Sequence, residues 1–230
     1  MKTESNAYEF DDLVDTTDMI VVHTALLREL HQAPALVEGA EGKQRMRVAR
    51  HLFLVLALLH HHHEGEDRRL WPALAPRIPA AATHYLDDVI AQHDRIAVLV
   101  DRVERALTAW AEDAARTTGP ALRNALADLH AGLAEHLHTE EEHLLPLAAV
   151  HLTSDEWHAV GAAAVSALPK HRLPLIFGLL TYDADPAAVR IMLAAIPVVP
   201  RIVLRATART SYARYARRLY GRALFPGDQT

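Results

Sequence analysis

Apolar residues recur every three or four positions over four long stretches of the chain, the period of an amphipathic α-helix. The first stretch begins at Asp18, a suitable N-cap, and is expected to end before Pro34. The others run from about residue 43 to 70, from about 80 to 112, and from Pro120 to about 150. Strand-like alternation is nearly absent. The pattern predicts an all-α protein built on an up-down four-helix bundle.

Shorter helical signals continue after residue 150. Thr153 and Glu156 have the spacing of a capping box, and an arginine-rich stretch over about 201–224 has the pattern of a last helix. We therefore predict three parts of the chain: a flexible acidic leader over residues 1–17, the bundle over 18–150 and a basic helical C-terminal extension over 151–230.

The composition limits the chemistry that such a bundle can perform. The 230 residues include no cysteine, which excludes disulfides, thiolate metal sites and iron–sulfur clusters. Any bound metal must therefore have nitrogen and oxygen ligands, and the 16 histidines are an excess that needs an explanation. No apolar stretch reaches the length of a membrane span, and the N-terminus lacks the apolar segment of a signal peptide. We expect a cytoplasmic protein.

Charge is divided unevenly along the chain. Residues 1–150 have 14 basic and 24 acidic side chains, whereas residues 151–230 have 10 basic and 5 acidic ones. A basic extension can bind nucleic acid or an acidic membrane surface, or it can pack on an acidic body. No nucleic-acid-binding motif accompanies the arginines, which line one face of an ordinary amphipathic helix. We predict packing against the bundle, a second copy of the chain or another protein partner, and no nucleic acid.

One short motif occurs twice, once in the second predicted helix and once in the fourth. His62 and Glu66 have the same spacing and similar flanking residues as His136 and Glu140. A histidine and a glutamate four residues apart lie on one face of a helix. Either pair alone is as easily a surface pair, but the repetition favours two helices that together enclose two metal ions.

The first and third helices each have one histidine in the middle of an apolar stripe, His23 and His93. Either histidine alone is typical of a core residue that bonds a backbone carbonyl. Together with the repeated pairs, however, they give every helix of the bundle a possible ligand. The predicted metal ligands are His23, His62, Glu66, His93, His136 and Glu140.

Residues next to these ligands have supporting roles in the prediction. Asp67 and Glu141 follow the two glutamates, and we expect them to accept the second N–H of a ligand imidazole or to face solvent. Helix neighbours diverge by about 100°, so the rest of the His60–His63 run is expected on the flank or surface. His51 is too far along its helix to be a ligand, and we predict a buried structural or channel-lining role.

These residues and their order resemble the hemerythrin-like family, the HHE cation-binding domains, over about residues 15–150. The LWPAL and LLPL segments that follow the two pairs also match. The resemblance implies a bundle that holds two non-haem iron ions, with manganese or zinc as alternatives. It also implies a protein that binds, senses or reacts with oxygen, peroxide or nitric oxide. If the chain is an enzyme, the implied activity is that of a di-iron oxidoreductase, such as peroxide decomposition.

Two positions depart from the oxygen-carrying members of that family. Ala97 stands where they have a second histidine of the third helix, and Glu141 stands where they have an aspartate. A ligand set with one nitrogen fewer favours reaction or sensing over oxygen storage. The alternative hypothesis is an iron- or redox-responsive regulatory protein that acts on a partner through its basic C-terminal helices.

Overall fold

A computed structural model of the chain describes residues 13–113, 117–194 and 196–221, and these are almost entirely helical. No helix among them is long and apolar enough to cross a bilayer. The α-helices are α1 (Thr17–Gly39), α2 (Lys43–Gly65), α3 (Trp71–Leu74), α4 (Thr83–Glu112), α5 (Gly119–Thr139), α6 (Leu145–His151), α7 (Ser154–Ala167), α8 (Leu173–Thr181), α9 (Pro186–Ala194) and α10 (Val198–Tyr220).

The four long helices of the N-terminal part form the predicted bundle. Helix α1 packs on α2 and α5, and α4 packs on the same two helices, so that each has two neighbours. Their inward faces are rich in leucine and fully buried, including Leu30, Leu56, Leu107 and Leu126. The prediction of an all-α bundle with additional C-terminal helices is confirmed.

The repeated sequence motif produces a repeated irregularity of the backbone. Helix α2 continues into α3 through a π-helical turn over Glu66–Leu70, and α5 continues into α6 through another over Glu140–Leu144. A proline follows each turn at the second position of the next helix. Proline cannot donate the usual backbone hydrogen bond and clashes with the carbonyl four residues before it, and a wider turn relieves both problems. Each π turn begins at the glutamate of its motif and ends two residues before the proline.

The first helix differs from its prediction at both ends. It runs through Pro34 to Gly39, because its buried face continues past the proline with Ala33 and Val37. The core packing of these side chains outweighs the loss of one backbone hydrogen bond. Asp18 is not the N-cap either: it lies in the first helical turn.

The C-terminal extension packs against the bundle. Helix α8 crosses α10 closely at Gly178, where an added β-carbon would lie 2.4 Å from the carbonyl oxygen of Ala208. Leu179 and Leu219 belong to the same buried cluster as the leucines of the bundle. The extension thus shares the main core, as the charge pattern suggested, although its exact boundary stays a prediction.

The capping box of Thr153 and Glu156 is present at the start of α7. The last helix runs from Val198 to Tyr220, with Gly221 at a φ of 76° as its C-cap, so it begins before the predicted residue 201 and ends before the predicted residue 224. Residues 1–12 of the predicted leader lie outside the described residues. Val14 is buried, and its backbone N–H donates to the carbonyl of Ala149 at 3.0 Å.

Candidate metal centre

The bundle brings the six predicted ligands together in its interior. Helix α1 contributes one histidine, α4 another, and each π turn contributes a glutamate one turn after the histidine of its own helix. Every one of these side chains is at most 7% exposed. The converging residues are His23, His62, Glu66, His93, His136 and Glu140.

The two carboxylates each extend toward two histidines. Glu66 Oε1 lies 3.3 Å from His62 Nε2, while its Oε2 lies 3.6 Å from His93 Nε2. Glu140 behaves in the same way: its Oε2 lies 3.5 Å from His23 Nε2, and its Oε1 lies 3.7 Å from His136 Nε2. A carboxylate whose two oxygens face different imidazoles has the geometry to bridge two cations.

The donor atoms form two overlapping groups, and in each group they all lie within 4.8 Å of one another. Glu66 belongs to both groups, which agrees with a bridging position. A seventh residue, His63, joins the predicted set. The first group is His23, His62, Glu66 and Glu140, and the second is His63, Glu66, His93 and His136.

The prediction that His63 lies on the flank of its helix is wrong. Its ring stacks on that of His93 with 4.2 Å between centroids, and its edge meets His136 at 5.0 Å. The side chains of successive helical residues point about 100° apart. Both can still approach the bundle interior when the interior lies between their two directions. His62 and His63 lie on either side of the line from α2 to the bundle interior, whereas His60 is exposed.

The donor atoms at the centre have no hydrogen-bond partner among the described residues. Burying a polar atom without a partner is costly, and most buried polar atoms in proteins are paired. Unpaired nitrogens and carboxylate oxygens that point at one another are explained if they bind cations, so the residues present fit a metal. The atoms are Nε2 of His23, His62, His63, His93 and His136 and both carboxylate oxygens of Glu66 and Glu140.

The electrostatics of this buried cluster favour uncharged side chains. Burial and the neighbouring Glu140 raise the pKa of Glu66 well above its ordinary value. Burial and the neighbouring Glu141 do the same to the pKa of Glu140. Burial and the surrounding imidazoles lower the pKa of His62 and of His136. Neutral imidazole is the form that binds metal, and a cation displaces the carboxyl protons, so metal binding is coupled to proton release.

Three acceptors fix the orientation of three histidines of the cluster. Asp67 Oδ1 lies 2.7 Å from His93 Nδ1, and Glu141 Oε1 lies 2.8 Å from His23 Nδ1. The prediction that these carboxylates accept the second imidazole N–H is confirmed. Gln92 Oε1 lies 3.1 Å from His136 Nδ1. This acceptor was not predicted from the sequence, although the position of Gln92 directly before His93 could have indicated it. When Nδ1 donates to these acceptors, Nε2 is left free for a metal.

His51 lies apart from the metal centre in a second buried cluster. The residue is fully buried, and its Nε2 lies 3.1 Å from Glu29 Oε2. Its Nδ1 lies 3.2 Å from the hydroxyl of Tyr215 in α10. The predicted buried structural role is therefore confirmed, and the partner is a residue of the extension.

The fold and the site together define a helical protein with a buried cluster of metal-binding side chains. The family model of the hemerythrin HHE cation binding domain matches residues 15–148, more than half of the chain. The protein belongs to this family. Comparisons with curated proteins and with solved structures gave no match.

Proposed function

We propose that the bundle holds two iron ions and that the protein binds, senses or reacts with a small oxidant such as oxygen, peroxide or nitric oxide. The observation that supports this proposal is the set of buried, unpaired donor atoms that form two groups sharing Glu66. Imidazole and carboxylate ligands suit iron, and manganese and zinc accept the same ligands.

From these two groups we assign four protein ligands to each proposed ion. His23, His62 and both glutamates would hold one, and His63, His93, His136 and Glu66 would hold the other. His63 supplies from α2 the nitrogen that Ala97 cannot supply from α4, so the ligand set is not poorer than that of oxygen-carrying members. Iron in these groups would offer open coordination positions to a small oxidant. The six predicted ligands are at most 7% exposed, which limits the access of bulk water to the centre.

The proposal is tested by the metal content of anaerobically prepared protein, measured by mass spectrometry, with absorption spectra before and after air and azide. About two iron ions per chain with charge-transfer bands that respond to azide are expected from this ligand set. A protein that is isolated without metal and takes up none of the three candidate metals would contradict the proposal.

His63→Ala tests the assignment of the second group. We expect the variant to bind about one iron ion per chain in place of about two, since the second group loses one of its three imidazoles. His60→Ala is the matched control, because that exposed histidine of the same run reaches neither group. Retention of both ions by His63→Ala would show that His63 is not a ligand.

A second function, metal-dependent regulation through the extension, is favoured by the contact of α7 with the metal-binding segment. A β-carbon at Gly65, next to Glu66, would lie 3.9 Å from Val160 of α7. Trp157 of the same helix donates its Nε1–H to Asp18 of α1 at 3.0 Å. If iron orders the turn at Glu66, backbone hydrogen exchange in α7 is expected to slow on iron binding. Unchanged exchange rates would contradict this function.

A further inference from the structure

An apolar cleft lies between the bundle and the extension. It has a volume of about 420 Å³, and helices α7, α8 and α9 form its outer wall with side chains such as Val160, Phe177 and Met192. The bundle side of the same cleft reaches His62 and Glu66, two of the proposed metal ligands. A mostly apolar cleft of this size, with a few polar groups at one side, is typical of small-molecule sites.

A second cleft of about 430 Å³ adjoins the first and differs from it in charge. The two share Leu58, His61 and Leu168 as wall residues. Arg50 of α2 and Arg172, just before α8, line the second cleft only. Within the part of the chain that the structure describes, neither guanidinium has an acidic partner, so two cationic groups are available beside an apolar cavity.

We propose that the two clefts together bind one medium-chain aliphatic carboxylate. Its carboxylate group would lie between Arg50 and Arg172, and its chain would pass His61 into the apolar cleft toward His62 and Glu66. Charge decides this orientation, because the two arginines of the second cleft attract an anion whereas no lysine or arginine is among the described residues that line the apolar cleft. An uncharged apolar molecule would use only one cleft, and a small hydrophilic anion would leave the apolar wall exposed.

The ligand class goes beyond the proposed function, since the side chains of the polypeptide alone form both clefts. The extension has a definite role in it: without α7, α8 and α9 the side of α2 that presents His62 would have no apolar outer wall. The methyl end of the bound carboxylate would lie beside the proposed metal centre. Binding can be measured without any reaction at that centre, so failure of one proposal leaves the other intact.

Isothermal titration of the full chain with octanoate, decanoate and 1-octanol tests the proposal. Decanoate is expected to bind with one molecule per chain and more tightly than octanoate, by about fourfold for each added methylene that becomes buried. 1-Octanol, which lacks the charge, is expected to bind about tenfold more weakly than octanoate. No saturable binding of decanoate, or equal affinities for octanoate and decanoate, would overturn the proposal.

Variants of the two clefts separate the contributions of chain and charge. Gly161 of α7 lines the apolar cleft, and an added β-carbon there meets no atom within 4 Å, so Gly161→Phe adds a large side chain to this wall without a clash at its β-carbon. We expect at least a tenfold loss of affinity for decanoate and 1-octanol, and none for Ala159→Phe, an exposed position of the same helix. Ala164→Leu, a smaller change in the same wall, replaces Gly161→Phe if that variant does not fold.

The double variant Arg50→Ala, Arg172→Ala is expected to bind decanoate at least about fivefold more weakly and 1-octanol unchanged. Arg47→Ala, an exposed arginine of α2 outside both clefts, is the matched control. An equal loss for both ligands, or wild-type affinity of the cleft-filling variants for decanoate, would contradict the assigned site.

Discussion

Glu66→Gln is expected to abolish binding of both proposed iron ions, whereas Glu64→Gln leaves both bound. Glu66 is the residue that belongs to both groups of donor atoms, with one oxygen near His62 and the other near His93. A glutamine has the same size but offers one oxygen and an NH₂ group, which cannot bind a cation. Mutating a residue that only hydrogen-bonds to a metal ligand typically lowers metal affinity by about 10–100-fold. For the loss of a ligand itself we therefore expect at least about 100-fold weaker metal binding.

The matched control lies two residues away on the same stretch of helix. Glu64 is partly exposed and pairs with Arg68 at 2.7 Å, so Glu64→Gln makes the same chemical change outside both groups of donor atoms. Metal content of the two variants after anaerobic iron loading, measured by mass spectrometry, is compared with the wild type. Retention of one tightly bound ion by Glu66→Gln would contradict the bridging position and assign the carboxylate to a single ion.

The same substitution gives an independent readout in the metal-free protein. Burial raises the pKa of Glu66, which shows that the fold does not stabilise its charged form in the absence of a cation. Replacing the carboxyl with an amide of the same size is therefore expected to leave the unfolding free energy of the metal-free protein unchanged or higher. A residue kept for metal binding and not for stability has this combination of effects.

The convergence of the six predicted side chains was predictable because helical periodicity and a repeated motif both constrain their positions. A four-residue spacing fixes the relative direction of His62 and Glu66, and the second copy fixes that of His136 and Glu140. The acceptors Asp67 and Glu141 were predictable from the same motif, because each directly follows the glutamate of its motif. Each of them contacts a histidine of a neighbouring helix.

Other features depend on packing that no local pattern determines. Whether His62 alone or both His62 and His63 turn inward depends on the rotation of α2 about its axis, which tertiary contacts set. Helix α1 continues through Pro34 because of core contacts, against the local preference of proline. The close crossing at Gly178 joins segments that are distant in the sequence, and nothing in either segment alone specifies the other.

The net charge of the extension predicted where it packs but not which side chains make the contact. Its net positive charge predicted packing on the acidic bundle, and it does pack there. The buried contact, however, is made by tyrosines. Glu29 of α1 accepts hydrogen bonds from the hydroxyl of Tyr220 at 2.5 Å and from that of Tyr212 at 3.2 Å. Most arginines of α10 are exposed, because a guanidinium is costly to bury whereas a phenol brings apolar area together with one donor.

Glu29→Gln is accordingly expected to destabilise the protein by about 3 kcal/mol at neutral pH. Burial alone raises the pKa of the Glu29 carboxyl, but the adjacent His51 imidazole, the Arg28 guanidinium and the Tyr220 hydroxyl outweigh it and lower this pKa to about 2 from an ordinary value of 4.5. The fold therefore stabilises the charged carboxylate, and its removal leaves the buried donors around it without their acceptor.

The pH dependence of this loss distinguishes the carboxylate charge from packing. Because the pKa is lower in the folded than in the unfolded state, the stabilisation is present above pH 4.5 and is lost as the pH falls toward 2. The difference in unfolding free energy between wild type and Glu29→Gln is thus expected to fall to about half near pH 3. Urea unfolding of the metal-free proteins at pH 7 and pH 3 measures it.

Glu38→Gln is the matched control for this prediction. Glu38 lies on the same helix and pairs with Arg123 at 2.5 Å, but its side chain is 69% exposed, so its removal is expected to cost less than about 1 kcal/mol. A loss for Glu29→Gln that is equally large at both pH values would assign its effect to packing alone. A loss no greater than that of Glu38→Gln would mean that the tyrosines of α10 and the bundle are held together by apolar contacts, with no energetic contribution from the buried carboxylate.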